Sequence, residues 1–213
     1  MVTIYTYKIP KQMTSAEISF LNTFCTPKEL EKPPLFPETK HLTSVFGKAI
    51  TKSLISDKTG IPADKIQIEK NANGKPFIKD FPHIHFNVSH SEDTVAVAFC
   101  DEEIGIDIEK IKTANLKIAK RFFSKDEEEY ILNHTNKNTA FFEIWTAKEA
   151  YFKRSGEGIG TDFFKTSVKN TKLSQKITTF ERDGFMVSVC CDKKDDIILK
   201  PFEFLNVDKP KSL

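Results

Sequence analysis

The chain has 213 residues, 39% of them hydrophobic, which suits one large domain or two small ones around a substantial buried core. Lysine and arginine number 32 against 30 acids, so a net charge of +2 gives no general electrostatic reason to bind nucleic acid or an anionic membrane. Any anion site has to be local.

Met1–Lys8 alternates like a strand and lacks the charged start and apolar run of a signal peptide, so a cytosolic protein is expected. Ser15–Phe24 reads as a helix ended by the prolines at 33, 34 and 37. From Lys40 to Ser56, Leu42, Val45, Phe46, Ala49, Ile50, Leu54 and Ile55 recur every three or four residues, the pattern of a buried helical face. Asp57–Pro62 stops that helix. Ile66–Glu69 and Pro76–Lys79 then predict short strands around an Asn73-Gly74 turn.

Thr94–Cys100 and Glu103–Ile108 read as strands. Asn87–Ser91, before the first of them, is either a polar turn or a set of hydroxyl, imidazole and backbone donors for phosphate oxygens. Helices are predicted at Leu116–Lys120, at Lys125–Asn133 with Ser124 as N-cap, and at Thr139–Ser155 closed by Gly156. Phe163–Val168, Lys176–Glu181, Phe185–Cys191 and Ile197–Leu199 alternate like a meander of strands. A long helix with short strands falls in each half, which hints at a duplicated α+β unit without a residue-level repeat.

Cys25, Cys100, Cys190 and Cys191 have no metal-ligand or disulfide-framework spacing and read as reduced packing residues. No apolar run approaches the roughly 20 residues of a membrane-spanning helix. His83 and His85 share one side of an extended segment, but no third zinc ligand follows at a familiar spacing.

The chemistry points elsewhere. Asp107 and Glu109 are two apart on a predicted strand, so both carboxylates project to the same side. If the helix carrying Glu149 reaches the same point, three like charges crowd together and call for a cation or for protonation. Magnesium is the expected ion. Lys153 lies four residues after Glu149 and so shares its helix face, an arrangement that on an arbitrary helix is only a surface ion pair of about 0.3 kcal/mol. Here Trp145 lies one turn before Glu149, and a glycine-rich turn, Gly156 to Gly160, follows the helix and permits close approach to a ligand.

Asn73-Gly74-Lys75-Pro76, Phe86-Asn87-Val88-Ser89-His90-Ser91, Gly105-Ile106-Asp107-Ile108-Glu109, Phe123-Ser124 and Trp145-Thr146-Ala147-Lys148-Glu149-Ala150-Tyr151-Phe152-Lys153 stand in this order. The series resembles the 4'-phosphopantetheinyl transferases, and the length points to the Sfp type, the surfactin synthetase activators, rather than the short trimeric holo-acyl-carrier-protein synthases. The likeness is strong over residues 73 to 160 and weaker towards both ends.

The resemblance implies an α+β fold of two similar lobes forming a pseudo-dimer, residues 1–103 and 104–213, with coenzyme A in the cleft between them. It implies a cytoplasmic, monomeric enzyme that moves the phosphopantetheine arm of coenzyme A to a serine of an apo acyl or peptidyl carrier protein and releases 3',5'-ADP. Asp107, Glu109 and Glu149 match magnesium ligands, with manganese as the other candidate ion, and Glu149, directly or through a bound water, is the candidate base. Lys153 matches the lysine that reaches a phosphate oxygen. Ser89 and His90 match phosphate contacts, and Gly74, Lys75 and Pro76 match the segment along the adenine. Lys28 and Ser44 fall where a basic cluster holds the 3'-phosphate, a cluster that is thin here because Glu31-Lys32 and Leu42-Thr43-Ser44 replace commoner basic stretches.

Two further positions stay open. Glu127 aligns with an acidic position near the site or belongs to a solvated acidic face with Asp126, Glu128 and Glu129. The region from Lys112 to Tyr130 corresponds to the carrier-receiving face, where Phe122 and Phe123 are candidate anchors and at least one of them is expected in the core. The alternatives to a transferase are a non-catalytic carrier-binding module and a metal-dependent nuclease. Against the nuclease, Tyr151 stands where an acid-x-lysine arrangement would need its lysine.

Overall fold

The computed structural model describes residues 1–24, 38–156, 165–192 and 196–201. The fold is α+β. Strand β1 (Val2–Lys8), helix α1 (Ser15–Asn22) and helix α2 (Glu38–Thr59) lead to the hairpin β2 (Ile68–Lys70) and β3 (Pro76–Ile78). Then come β4 (His85–Ser91), β5 (Thr94–Cys100), β6 (Gly105–Lys110), α3 (Leu116–Phe122), α4 (Lys125–Asn133) and α5 (Lys137–Ser155). The short α6 (Thr171–Ser174), β7 (Ile177–Arg182), β8 (Phe185–Cys190) and β9 (Ile197–Pro201) complete the described chain.

A four-stranded sheet runs β4-β5-β1-β9 and a three-stranded sheet runs β6-β8-β7. Each carries one long helix. Phe46, Ala49, Ile50 and Ile55 of α2 pack on Phe86, Val95, Val97 and Phe99 of the first sheet. Ala140, Phe141, Ile144, Ala147 and Ala150 of α5 pack on Ile177, Met186 and Cys190 of the second. A third cluster lies between the sheets, where Val2, Ile4, Ala96 and Ala98 meet Ile106, Ile108, Val187 and Val189. Strand β9, from the last part of the chain, pairs parallel with β1 and so completes the first sheet.

Period-two alternation decides both faces of β6. Ile106 and Ile108 enter the cluster between the sheets, which turns Asp107 and Glu109 towards α5. Gly105 opens this strand because nothing larger fits: a Cβ there would lie inside contact distance of the Ala150 carbonyl and the Arg154 amide on α5. We expect Gly105→Ala to push α5 off the sheet and cost about 3 kcal/mol, measured by urea unfolding, the upper part of the range for overpacking a tight interior.

Helix ends follow the sequence cues, with small differences. Asn136 caps α5, accepting from the Asn138 and Thr139 amides, so the helix starts two residues before the expected Thr139. Gly156 ends it in the left-handed conformation at φ 74°. Two expectations fail. Residues 86–91 are not a turn: they lie within β4, in register with β5. Residues 165–168 are not a strand, because the Val168 amide donates to Glu127 Oε1 at 2.8 Å and no strand partner takes it. The three described cysteines are free and buried, and burial pushes Cys190 up to about 12 and Cys191 up to about 11, which keeps both as unreactive thiols. Cys25 lies outside the described residues.

Candidate active site between β4, β6 and α5

Where β4 and β6 run side by side, Asp107 is 4% exposed and its two oxygens have different fates. Oδ1 accepts from Ser89 Oγ at 2.7 Å and from Lys153 Nζ at 2.6 Å. Oδ2 is buried with no partner. Lys153 Nζ also donates to Ser89 Oγ at 3.0 Å. Glu109 Oε2 accepts from Ser91 Oγ at 2.8 Å. Burial raises the Glu109 carboxyl above its usual range, and the bond from Ser91 opposes the rise. Glu149 is pushed up to about 7, by burial first, then by the charge of Asp107 and of Glu109, with Lys153 pulling the other way.

Asp107, Glu109 and Glu149 therefore feel one another, and the fully ionised set carries three negative charges against the one ammonium of Lys153. That excess of two, with an orphaned buried carboxylate oxygen, is the chemistry of a hard divalent cation site. Among the described residues no three His, Cys, Asp or Glu side chains stand close enough as they are to grip one ion. An ion held by all three would require the carboxylates to draw together.

Alternation along β4 sends its other face into a cavity of about 590 Å³ against α2, lined by Ser44, Gly74, Pro76 and His90 of the expected contacts, together with Lys48, Lys52 and Lys70. Ser89 and His90 thus serve opposite sides of one strand, as adjacent extended residues must. Lys48 and Lys52 follow Ser44 on α2 at successive intervals of four, a helical spacing visible in the sequence but passed over there. Lys75 departs from expectation. Its side chain is 12% exposed, and its ammonium pairs with Glu103 and donates to the Arg154 carbonyl at 2.6 Å, so it sits at the C-terminal end of α5 while its neighbours Gly74 and Pro76 face the cavity. A cation there also complements the helix dipole. Lys28, like Glu31 and Lys32, lies outside the described residues.

The sequence matches the family model of the 4'-phosphopantetheinyl transferase superfamily over residues 103–202, and that of the 4'-phosphopantetheinyl transferase N-terminal region over residues 15–102. Two Bacillus subtilis proteins, the 4'-phosphopantetheinyl transferases ffp and Sfp, are each 32% identical to it over 222 residues, 95% of this chain and 99% of theirs. The 4'-phosphopantetheinyl transferase gsp of Aneurinibacillus migulanus is 32% identical over 205 residues, 89% of this chain and 86% of its own. The chain belongs to the 4'-phosphopantetheinyl transferase superfamily.

In this transferase Glu127 is neither solvated nor turned to the three acids. It is fully buried, and both its oxygens accept from Lys148 Nζ, at 3.1 and 2.9 Å. The Ser124 amide donates to Glu127 Oε2 and the Val168 amide to Oε1. Lys148, inside the motif that carries Glu149, escaped notice because its partner lies 21 residues away. Phe123 is the core member of the aromatic pair: it stacks on Phe141 with ring centres 5.5 Å apart, while Phe122 is half-buried beside the Arg121 guanidinium. No described helix of the transferase is long and apolar enough to cross a membrane.

Proposed function

We propose that the protein transfers 4'-phosphopantetheine from coenzyme A to a serine hydroxyl of an apo acyl or peptidyl carrier protein, releasing 3',5'-ADP. The observation that carries this reading is the partnerless, buried Oδ2 of Asp107 in a carboxylate cluster, set one strand away from a cavity of about 590 Å³. A nucleotide occupying that cavity past His90 would bring its diphosphate over β4 to the acids, in the cleft between the lobes 1–103 and 104–213.

Asp107, Glu109 and Glu149 would hold magnesium, or manganese in its place, through their oxygens. When bound, the ion neutralises charge on the diphosphate as the leaving group departs. This chain's residues do the rest. The carrier serine oxygen bonds to the phosphorus of the pantetheine phosphate, and the bond from that phosphorus to the diphosphate bridging oxygen breaks. The electron pair leaves with 3',5'-ADP, and the serine proton passes to Glu149, directly or through a water. Lys153 would exchange its bond to Asp107 for one to a diphosphate oxygen. Ser44, Gly74, Pro76, Ser89 and His90 are the proposed coenzyme A contacts, with Lys28 and the backbone at Lys75. The protein works as a monomer in the cytoplasm, without nucleic acid or membrane partners.

Mass spectrometry of an apo carrier protein after incubation with this protein, coenzyme A and magnesium tests the reading. The expected result is a mass gain of one phosphopantetheine on the carrier serine. An unmodified carrier with intact coenzyme A overturns it, and nicked plasmid DNA in a parallel reaction would favour the nuclease.

A further inference from the structure

The two sheets are joined by a ladder in which side chains replace one strand's backbone. Asn87 Oδ1 accepts from the Ile106 amide at 3.0 Å, Ser89 Oγ from the Ile108 amide at 3.3 Å, and Ser91 Oγ from the Lys110 amide at 3.0 Å. Every second residue of β4 thus meets every second amide of β6, on the edge that β8 leaves unpaired. All three β4 residues are buried, at 4%, 4% and 7% exposure, where unpaired amides of β6 would be costly.

Two rungs do more than close the seam. Ser89 accepts from the Ile108 amide and donates its own proton to Asp107. Ser91 repeats this geometry one step along, accepting from the Lys110 amide and donating to Glu109 Oε2 at 2.8 Å. Each hydroxyl therefore spans a carboxylate and the next residue's amide, and its single proton is directed by the amide it accepts. Asn87 spans no carboxylate. The order of the rungs separates a purely structural member from two that also aim an acid.

We propose that Ser91 is a positioning residue for Glu109, and that the β4–β6 ladder ties the docking of the two sheets to the aim of the ion-binding carboxylates. Glu109 stands near the open end of β6, half-buried, and among the described residues Ser91 is its one hydrogen-bond donor. Without that bond the glutamate has freely rotating side-chain torsions to fix on ion binding, whereas Asp107 keeps a second donor in Lys153. Outer partners of ligating groups set metal affinity in this way.

The inference rests on the ion-binding reading above, and the test separates the two. Manganese binding to the full-length protein is measured by electron paramagnetic resonance for the wild type and for Ser91→Ala, Ser91→Thr and Asn87→Ala, with amide exchange recorded by NMR on the same samples. Ser91→Ala is expected to lose on the order of tenfold or more in manganese affinity and to speed exchange of the Lys110 amide. Ser91→Thr, which keeps the hydroxyl, restores both. Asn87→Ala speeds exchange at Ile106 and binds manganese like the wild type. Wild-type affinity in Ser91→Ala overturns the proposal, as does an equal loss in Asn87→Ala, which would make seam integrity alone responsible. A wild type that binds no manganese brings down the ion-binding reading itself.

Discussion

Glu149→Gln is expected to reduce carrier modification by at least about 10³-fold, because one change removes both a proposed ion ligand and the proposed proton acceptor. The same variant should be more stable than the wild type in the metal-free state. Glu149 is raised from 4.5 to about 7 chiefly by burial and then by its acidic neighbours, so its ionised form is disfavoured in the folded protein. Glutamine keeps the shape and abolishes the charge. A rise from 4.5 to about 7 corresponds to roughly 3 kcal/mol, and the partial exposure of the residue reduces the measurable part.

The sign follows from which state holds the proton more tightly. The folded state does, so this group's contribution is fully present below pH 4.5, is lost as pH rises to about 7, and stays lost above it. The melting-temperature gap between Glu149→Gln and the wild type should therefore open between these values and be near zero at pH 4.5. Ion binding runs the other way, since a proton on Glu149 competes with the cation, and below pH 7 affinity should fall about tenfold per unit. Excess magnesium should close the stability gap at pH 8 by binding the wild type alone. A variant that unfolds, or one that transfers at normal rates, contradicts the placement of Glu149 at the cluster.

The legible parts of this fold are those written in local patterns. The period of two at Asp107 and Glu109 and the period near four along α2 follow from residues close in sequence, as does the Gly156 stop, and the structure agrees with each. What escaped depends on distant partners. Asn87, Ser89 and Ser91 look like turn formers because short polar side chains compete for backbone groups. Here they do so across a seam, satisfying another strand's amides. Their alternation with Phe86 and Val88 was a strand signal, outweighed by composition. Lys75 was read for its motif, but Glu103 and the end of α5 decide where its ammonium goes. The pairing of β9 with β1 spans nearly the whole chain and has no local signature.

Lys148→Met is expected to cost about 3–5 kcal/mol, the usual effect of leaving one half of a buried ion pair without its partner. Both side chains are 0% exposed, so no water is at hand to solvate the carboxylate left behind. Lys148 Nζ also donates to the Thr166 carbonyl at 2.5 Å, and Glu127 holds the Ser124 and Val168 amides, so the pair pins α4, α5 and the segment before α6 to one another. Burial pulls the Lys148 ammonium below its usual range while Glu127 opposes the shift, the pattern of a charge kept only by its partner. In Lys148→Met the buried carboxylate is left without its charged partner. Adding Glu127→Gln should recover part of the stability, since it removes the charge and leaves an oxygen for one of the Ser124 and Val168 amides. Urea unfolding of the two single variants and the double variant reads all of this. Simple additivity of the two single losses would show that the residues do not act as a pair. A loss below about 1 kcal/mol in Lys148→Met would place the pair in solvent, and α5 would then need another anchor to hold Glu149 against β6.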